Sequence, residues 1–168
     1  TMPFSEQQID KIKAVSPRLK VTAIRAHQPG DIPDEIWGQT EVLYTDSVLP
    51  DPELVPKLKW IQFHYTGIDY AVEKPVMEKP DLIATTMSGA NALQMAEYAL
   101  TMMLALGANV KTMIDNQAKA FWPDKRWEVY KHQELRGSTV GLVGYGSINR
   151  EVARLLLPFQ TTILAAKR

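Results

Sequence analysis

The chain has 168 residues, a length that a single domain can occupy and that is sufficient to bury a hydrophobic core. Its 19 basic residues balance its 19 acidic residues, and no long basic run is present, so neither a nucleic acid nor an anionic membrane is indicated as a partner. The absence of cysteine excludes disulfides, thiolate metal sites and a cysteine nucleophile, and it fits a reducing compartment. No secretory segment and no apolar run near eighteen residues is present, so we predict a cytoplasmic protein without a membrane span.

The first half of the chain alternates between helix and strand patterns. Ser5 and Gln8 form an S-x-x-Q capping box, which predicts a helix that ends before Pro17. Further predicted elements are strands over residues 20–25, 41–45, 59–63 and 82–86, and short helices over residues 34–38 and 53–58. This alternation predicts the α/β class, with a mostly parallel sheet and helices on both faces.

An alternating unit of this kind normally opens on a strand, but here the first predicted element is a helix. Two explanations are open. Either a strand lies upstream of Thr1, or the sheet has one strand fewer.

Residues 91–120 form the longest periodic segment, and Asn91 is placed to cap its N-terminus. Gly107 lies in the middle of this segment and predicts either a bend or a break between two helices. Residues 121–136 show no clean period, and we expect an irregular arm that packs its aromatic side chains.

Residues 138–168 are typical of a dinucleotide-binding unit. A β-branched run over residues 139–143 predicts a strand, and Gly144-Tyr145-Gly146-Ser147-Ile148-Asn149 follows it. An apolar helical stripe comes next and ends at Pro158. Residues 162–166 predict a second strand. This is the strand, turn and helix context in which a GxGxxG fingerprint binds a pyrophosphate.

Asn149 stands where the fingerprint has its third glycine, which normally lets the helix lie close to the strand. Two outcomes are open for this side chain. It either overpacks the helix–strand contact, at about 1–3 kcal/mol, or rotates outward and caps a backbone group.

The chain resembles the D-isomer-specific 2-hydroxyacid dehydrogenase family. The resemblance covers essentially the whole chain and rests on LKWIQFHYTGIDY at residues 58–70, TTMSGANALQMAEYALTMMLAL at residues 85–106, RWEVYKHQELRGSTVGLVGYGSI in and after the arm, and INREVARLL in the last helix. It implies a flavodoxin-like doubly wound substrate domain over residues 1–89, apparently lacking its first strand. Residues 90–168 would then hold a linking helix, the arm and the start of a Rossmann dinucleotide-binding domain.

The resemblance also implies an activity, namely hydride transfer between NAD(P)H and a 2-oxo or 2-hydroxy acid. The family's catalytic histidine, its carboxylate partner and its substrate-binding arginine all follow the glycine turn, so we assign no catalytic residue here. His132 precedes the turn and is not that histidine. We therefore expect this truncated chain to be inactive alone. The alternative is a non-catalytic nucleotide-binding or dimerisation module, that is, a pseudoenzyme.

The resemblance implies a substrate site in the loop that follows the predicted strand at residues 59–63. Tyr65, Thr66 and Gly67 match the loop whose backbone N–H groups receive the substrate carboxylate, and glycine allows a close approach of backbone to ligand. His64, next to this loop, is interpreted as a hydrogen-bonding residue of the surface rather than as a proton donor.

The implied cofactor site comprises the turn glycines Gly144 and Gly146 together with Ser147 and Ile148, whose N–H groups would face the pyrophosphate. No metal site is predicted. The same resemblance predicts a homodimer formed through the long helix and the arm.

The end of the chain bears on the choice of cofactor. Lys167 and Arg168 stand where an acidic residue would bind the ribose 2′-hydroxyl of NAD. A basic pair at this position favours the 2′-phosphate of NADP.

Overall fold

The computed structural model describes residues 4–167, and the chain divides into two compact units, Thr1–Ser88 and Gly89–Arg168. Each unit has its own hydrophobic core. None of the helices found in residues 4–167 has the length and hydropathy needed to cross a membrane.

The first unit is built on a parallel three-stranded sheet. Its helices and strands are, in chain order, α1 Glu6–Lys13, α2 Asp34–Gln39, β1 Val42–Thr45, β2 Trp60–Phe63, α3 Asp69–Val72 and β3 Ile83–Thr85. Single 3₁₀ turns lie at Pro29–Asp31, Pro52–Leu54 and Pro75–Glu78. The strand order is β1-β2-β3, and all pairs are parallel. The predicted α/β class is confirmed.

The core of the first unit lies on one face of this sheet, because alternate strand residues point to the same side. Leu43, Ile61 and Phe63 are buried there, and the largest buried side chain, Trp37, comes from α2. The Trp37 Nε1–H donates to the carbonyl of Pro29 at 3.1 Å, so the buried indole is satisfied.

The predicted capping box at the start of α1 is confirmed. The backbone N–H of Ser5 donates to Oε1 of Gln8 at 2.8 Å, and the backbone N–H of Gln8 donates to Oγ of Ser5 at 3.4 Å. Two backbone donors at the helix start are thereby satisfied by side chains.

Two predicted elements of the first unit are wrong. Residues 20–25 form no strand in the described chain, although Ala26 just beyond them is fully buried. Strand propensity reflects how side chains fit a sheet surface, and composition alone does not select a strand. Residues 53–58 form only the 3₁₀ turn at Pro52–Leu54, because Pro56 lacks an N–H and disfavours helical dihedrals at Val55.

The second unit contains four helices and a parallel pair of strands within residues 89–167. They are α4 Ala92–Gly107, α5 Val110–Ala118, α6 Arg126–Val129, β4 Thr139–Val143, α7 Ser147–Leu156 and β5 Thr162–Ala166, with a 3₁₀ turn at Leu157–Phe159. The core residues Ala96, Val152 and Leu156 are fully or almost fully buried where α4 packs against α7. The predicted strand–helix–strand unit is confirmed.

The long periodic segment is broken into two helices. Asn91 occupies the N-cap of α4, but its side chain caps no backbone group in the described chain. Asn109 adopts φ +54°, a left-handed conformation that asparagine tolerates, and it separates α4 from α5. Of the two alternatives predicted at Gly107, the break between two helices is correct, and it lies at Asn109.

Gly107 has a packing role at the end of α4. Its carbonyl accepts a hydrogen bond from the N–H of Gln133 at 2.9 Å, and a Cβ on Gly107 would lie 2.5 Å from the carbonyl oxygen of Gln133. Only glycine lets the arm approach the helix this closely.

The arm differs from the expectation in two respects. It contains one helical turn, α6, and Trp122 and Trp127 stay 71% and 65% exposed, although the ring of Trp122 lies 6.1 Å from that of Tyr130. The guanidinium of Arg126 lies between the two tryptophans, 5.8 and 5.7 Å from their ring centroids. Cation–π contact with Arg126 orders the rings without burying them.

Candidate functional site

The turn between β4 and α7 has the backbone shape that its glycines predict. Gly144 adopts φ +82°, in a region that residues with side chains rarely occupy, and its N–H donates to the carbonyl of Ala166 at 2.8 Å. Gly146 occupies the N-cap of α7 with φ −86°. A Cβ on Gly146 would meet no described atom within 4 Å, so space is open in front of the helix.

The start of α7 offers backbone N–H groups to an anion. Ser147 and Ile148 are its first two residues, and no side chain among residues 4–167 caps the helix. The first N–H groups of a helix have no intrahelical partner, and the helix dipole adds partial positive charge there. The residues present therefore fit the pyrophosphate of a dinucleotide.

Asn149 does not overpack the contact between helix and strand. Its Nδ2 donates to the carbonyl of Val143 at 3.0 Å and to that of Gly144 at 2.8 Å. Of the two outcomes that the sequence left open, the capping of backbone groups is the one observed.

Gly89 adjoins this turn and was missed by the sequence reasoning. It has φ +90°, and a Cβ on it would lie 3.9 Å from Cβ of Ser147. The only signal was its place after a predicted strand, at the end of the Met87-Ser88-Gly89 run.

The predicted substrate loop follows β2 in the first unit. Tyr65, Thr66 and Gly67 are all exposed, and the carbonyl of Tyr65 accepts a hydrogen bond from the N–H of Met87 at 3.3 Å. The loop thus lies at the carboxyl end of a parallel strand, where ligands of open α/β sheets usually bind.

Tyr44 and His64 meet beside this loop. The Tyr44 hydroxyl and Nδ1 of His64 are 2.5 Å apart, and the rings of His64 and Tyr65 pack edge to face with centroids 5.2 Å apart. Burial raises the pKa of Tyr44, so its hydroxyl stays protonated in the neutral range. His64 is thus a hydrogen-bonding residue, as predicted, but its partner Tyr44 was not identified.

The comparisons with known proteins agree with this geometry. The family model described as "D-isomer specific 2-hydroxyacid dehydrogenase, NAD binding domain" matches residues 100–168. The hydroxypyruvate reductase of Thermotoga maritima is 33% identical over 99 residues, which are 59% of this chain and 31% of that protein. The D-3-phosphoglycerate dehydrogenase of Archaeoglobus fulgidus is 24% identical over 168 residues, 97% of this chain and 30% of that protein.

This chain is similar, in sequence and in fold, to members of the D-isomer-specific 2-hydroxyacid dehydrogenase family. It spans about a third of the length of these curated relatives. Its fold is similar to that of the D-lactate dehydrogenase of Aquifex aeolicus, solved with NAD and lactic acid, at a TM-score of 0.68 and 22% identity. That match covers 98% of this chain and 50% of the other.

The remaining predicted site residues lie at the end of the chain. Lys167 is exposed and directly follows β5, the strand that pairs with β4. Arg168 lies outside the described residues. Within residues 4–167, no group of three or more histidine, aspartate or glutamate side chains is placed to hold a metal ion.

Proposed function

We propose that this chain supplies the substrate-carboxylate loop and the dinucleotide turn of an NAD(P)-dependent 2-hydroxyacid dehydrogenase. The observation that carries the proposal is the turn at Gly144 and Gly146, which opens onto an uncapped helix start in a parallel strand–helix–strand unit. The match of residues 100–168 to the NAD-binding domain of the dehydrogenase family supports it.

In this proposal the chain binds and orients two anions. The N–H groups of Ser147 and Ile148 hold the cofactor pyrophosphate, and Gly146 leaves room for it. Backbone N–H groups of Tyr65, Thr66 and Gly67 receive the carboxylate of the 2-oxo acid. The bound nicotinamide supplies or accepts the hydride. Holding the reactants in place lowers the entropic part of the barrier.

The test is turnover by the complete product of the gene that encodes this chain. Oxidation of NADPH and NADH is followed with glyoxylate or hydroxypyruvate as the acceptor. We expect oxidation that depends on the 2-oxo acid and saturates with it. Binding of the dinucleotide without turnover of any 2-oxo acid would instead support the module hypothesis.

The non-catalytic module is the less favoured function. Asn149, which departs from the dinucleotide fingerprint, is accommodated by two hydrogen bonds rather than by a distorted turn. The relatives named above are dehydrogenases and a reductase. Both observations support an enzyme.

We further propose that NADP is the preferred cofactor. The basis is the positive charge at the end of β5, which would attract the 2′-phosphate of NADP. Exposed Lys167 stands where the family's acidic residue would bind the ribose, and Arg168 follows it in sequence. Titration calorimetry with NADP and NAD tests this, and we expect NADP to bind more tightly. Lys167→Glu should reverse the order, and tighter binding of NAD by the unaltered protein would contradict the proposal.

The partner we propose is a second copy of this chain, in a protein of the cytoplasm. The side chains of Leu106, Trp122 and Trp127 are 77%, 71% and 65% exposed, and large exposed apolar groups of this kind mark interaction surfaces. Light scattering should give twice the chain mass. Leu106→Asp should yield a monomer, whereas Leu157→Asp, on a 67% exposed leucine of the 3₁₀ turn, should not.

A further inference from the structure

The amide of Asn149 ties the dinucleotide turn to the helix behind it. Asn149 is the third residue of α7, and its Nδ2 reaches back to the carbonyls of both Val143 and Gly144. These are the last residue of β4 and the first glycine of the turn. One side chain therefore contacts the two consecutive peptide groups that change the direction of the chain.

These two bonds fix which way the peptide groups face. In a trans peptide the carbonyl and the N–H point in opposite directions. The N–H of Gly144 donates to the carbonyl of Ala166, while the carbonyl of Val143, in the same peptide group, is held by Asn149. The carbonyl of Gly144 is also held by Asn149, so the N–H of Tyr145 is turned to the side away from that amide.

Orientation of these groups matters to an anion. Carbonyl oxygens that faced the front of α7 would repel a pyrophosphate, whereas N–H groups that face it attract it. The amide keeps two carbonyl oxygens directed toward itself before any ligand arrives. A turn fixed in advance loses less entropy on binding.

We propose that Asn149 is a positioning residue, whose amide orients the glycine turn for the pyrophosphate, a role that a third glycine could not perform because it has no side chain. The inference rests on the proposed dinucleotide site. For the variant Asn149→Gly, this proposal and the fingerprint predict opposite effects on binding of the pyrophosphate. If asparagine were merely tolerated at this position, restoring glycine should tighten binding; if its amide orients the turn, glycine should weaken it.

Two variants separate these outcomes. Asn149→Gly restores the fingerprint, and Asn149→Leu keeps a similar volume without a donor. The matched control is Asn109→Gly, which also deletes an amide-to-carbonyl bond, from Nδ2 of Asn109 to the carbonyl of Lys131 at 2.8 Å. It does so at a left-handed residue where glycine is favourable.

The experiment measures dissociation constants of ADP-ribose and adenosine for the complete gene product, together with thermal unfolding midpoints. Loss of two hydrogen bonds that orient the turn should weaken ADP-ribose about tenfold in both Asn149 variants. Adenosine, which lacks the pyrophosphate, should bind unchanged. Asn109→Gly should leave both constants unchanged, whatever it does to the midpoint.

Three results would overturn the inference. Equal or tighter binding of ADP-ribose by Asn149→Gly would show that the amide is only tolerated. Equal weakening of adenosine and ADP-ribose would show a general structural role. Absence of ADP-ribose and dinucleotide binding in the unaltered protein would instead refute the proposed function, on which the inference depends.

Discussion

At the scale of single residues, Gly144 and Gly146 are required in the turn for different reasons. Gly144 has φ +82°, which an alanine adopts at a cost of about 1–2 kcal/mol. Gly146 has φ −86°, which any residue adopts freely, and it faces open space. The backbone needs the first glycine, and the proposed ligand needs the second.

Alanine substitutions should therefore separate folding from binding. We expect Gly144→Ala to lower the free energy of unfolding by about 1–2 kcal/mol. Gly146→Ala should leave the free energy of unfolding unchanged or slightly higher. The same substitution should weaken dinucleotide binding about tenfold, because the alanine Cβ would occupy the space of the proposed pyrophosphate. Urea denaturation and titration calorimetry measure the two quantities. Unimpaired binding by Gly146→Ala would contradict the assigned ligand position.

An ion pair on α7 makes the stability of the folded chain depend on pH. Oε1 of Glu151 accepts hydrogen bonds from Nε and Nη2 of Arg154 at 2.8 and 2.5 Å. This hydrogen bonding holds the pKa of Glu151 below its ordinary value. Because the folded-state pKa is the lower one, the stabilisation is present above the unfolded pKa, about 4.3, and is lost as the pH falls through the folded pKa.

We test this with a double-mutant cycle of Glu151→Gln and Arg154→Gln in urea. The coupling free energy between the two residues should be measurable at neutral pH and should vanish progressively in the acid range below the unfolded pKa. High salt should also reduce it, because the side chain of Arg154 is 63% exposed. A coupling that stays constant from neutral to acid pH would argue against an ionic origin.

The sequence predicts where the glycine turn lies, but it does not predict the direction of the side chains in the turn. The pattern located Gly144, Gly146 and the substituted Asn149. It could not decide where the asparagine points, because that depends on which carbonyls the folded turn presents. For the same reason it gave no hint that Tyr44 meets His64, since the two are brought together by the pairing of β1 with β2.

At the scale of elements, α7 joins the core of the second unit to the proposed site. Val152, Ala153 and Leu156 are buried on one face of the helix, while Leu157 just beyond it is 67% exposed. Packing of this face fixes the position of the helix start, where the N–H groups of the site lie.

Two neighbouring leucines test this amphipathic arrangement. We expect Leu156→Ala to reduce the free energy of unfolding by about 2–5 kcal/mol, because it opens a cavity beside α4. Leu157→Ala should change it by less than about 0.5 kcal/mol. Urea denaturation followed by circular dichroism measures both. Similar losses for the two variants would mean that the buried face has been misassigned.

Elements with a strong local signal were predicted well, and elements that depend on distant partners were not. The helix α7 has a clear apolar stripe, and α1 has a capping box, so both were found from sequence. Residues 20–25 have strand-like composition, but no strand is found there in the described chain. Over residues 53–58, Pro56 prevents the helix that the pattern predicts.

At the scale of the whole molecule, the chain has two compact units, one with the loop at Tyr65 and the other with the dinucleotide turn. The family followed from four sequence stretches because they include the glycine turn and the loop, whose backbone chemistry restricts their residues. The dehydrogenase activity, the NADP preference and the homodimer remain proposals that the described geometry supports.

The most direct test of the dehydrogenase proposal is the configuration of the product. The complete gene product is incubated with NADPH and either hydroxypyruvate or pyruvate, and the 2-hydroxy acid formed is resolved by chiral chromatography. We predict that only the D-isomer forms and that its amount equals the NADPH oxidised. Formation of the L-isomer, or no reduction of either acid with NADPH or NADH, would contradict the account.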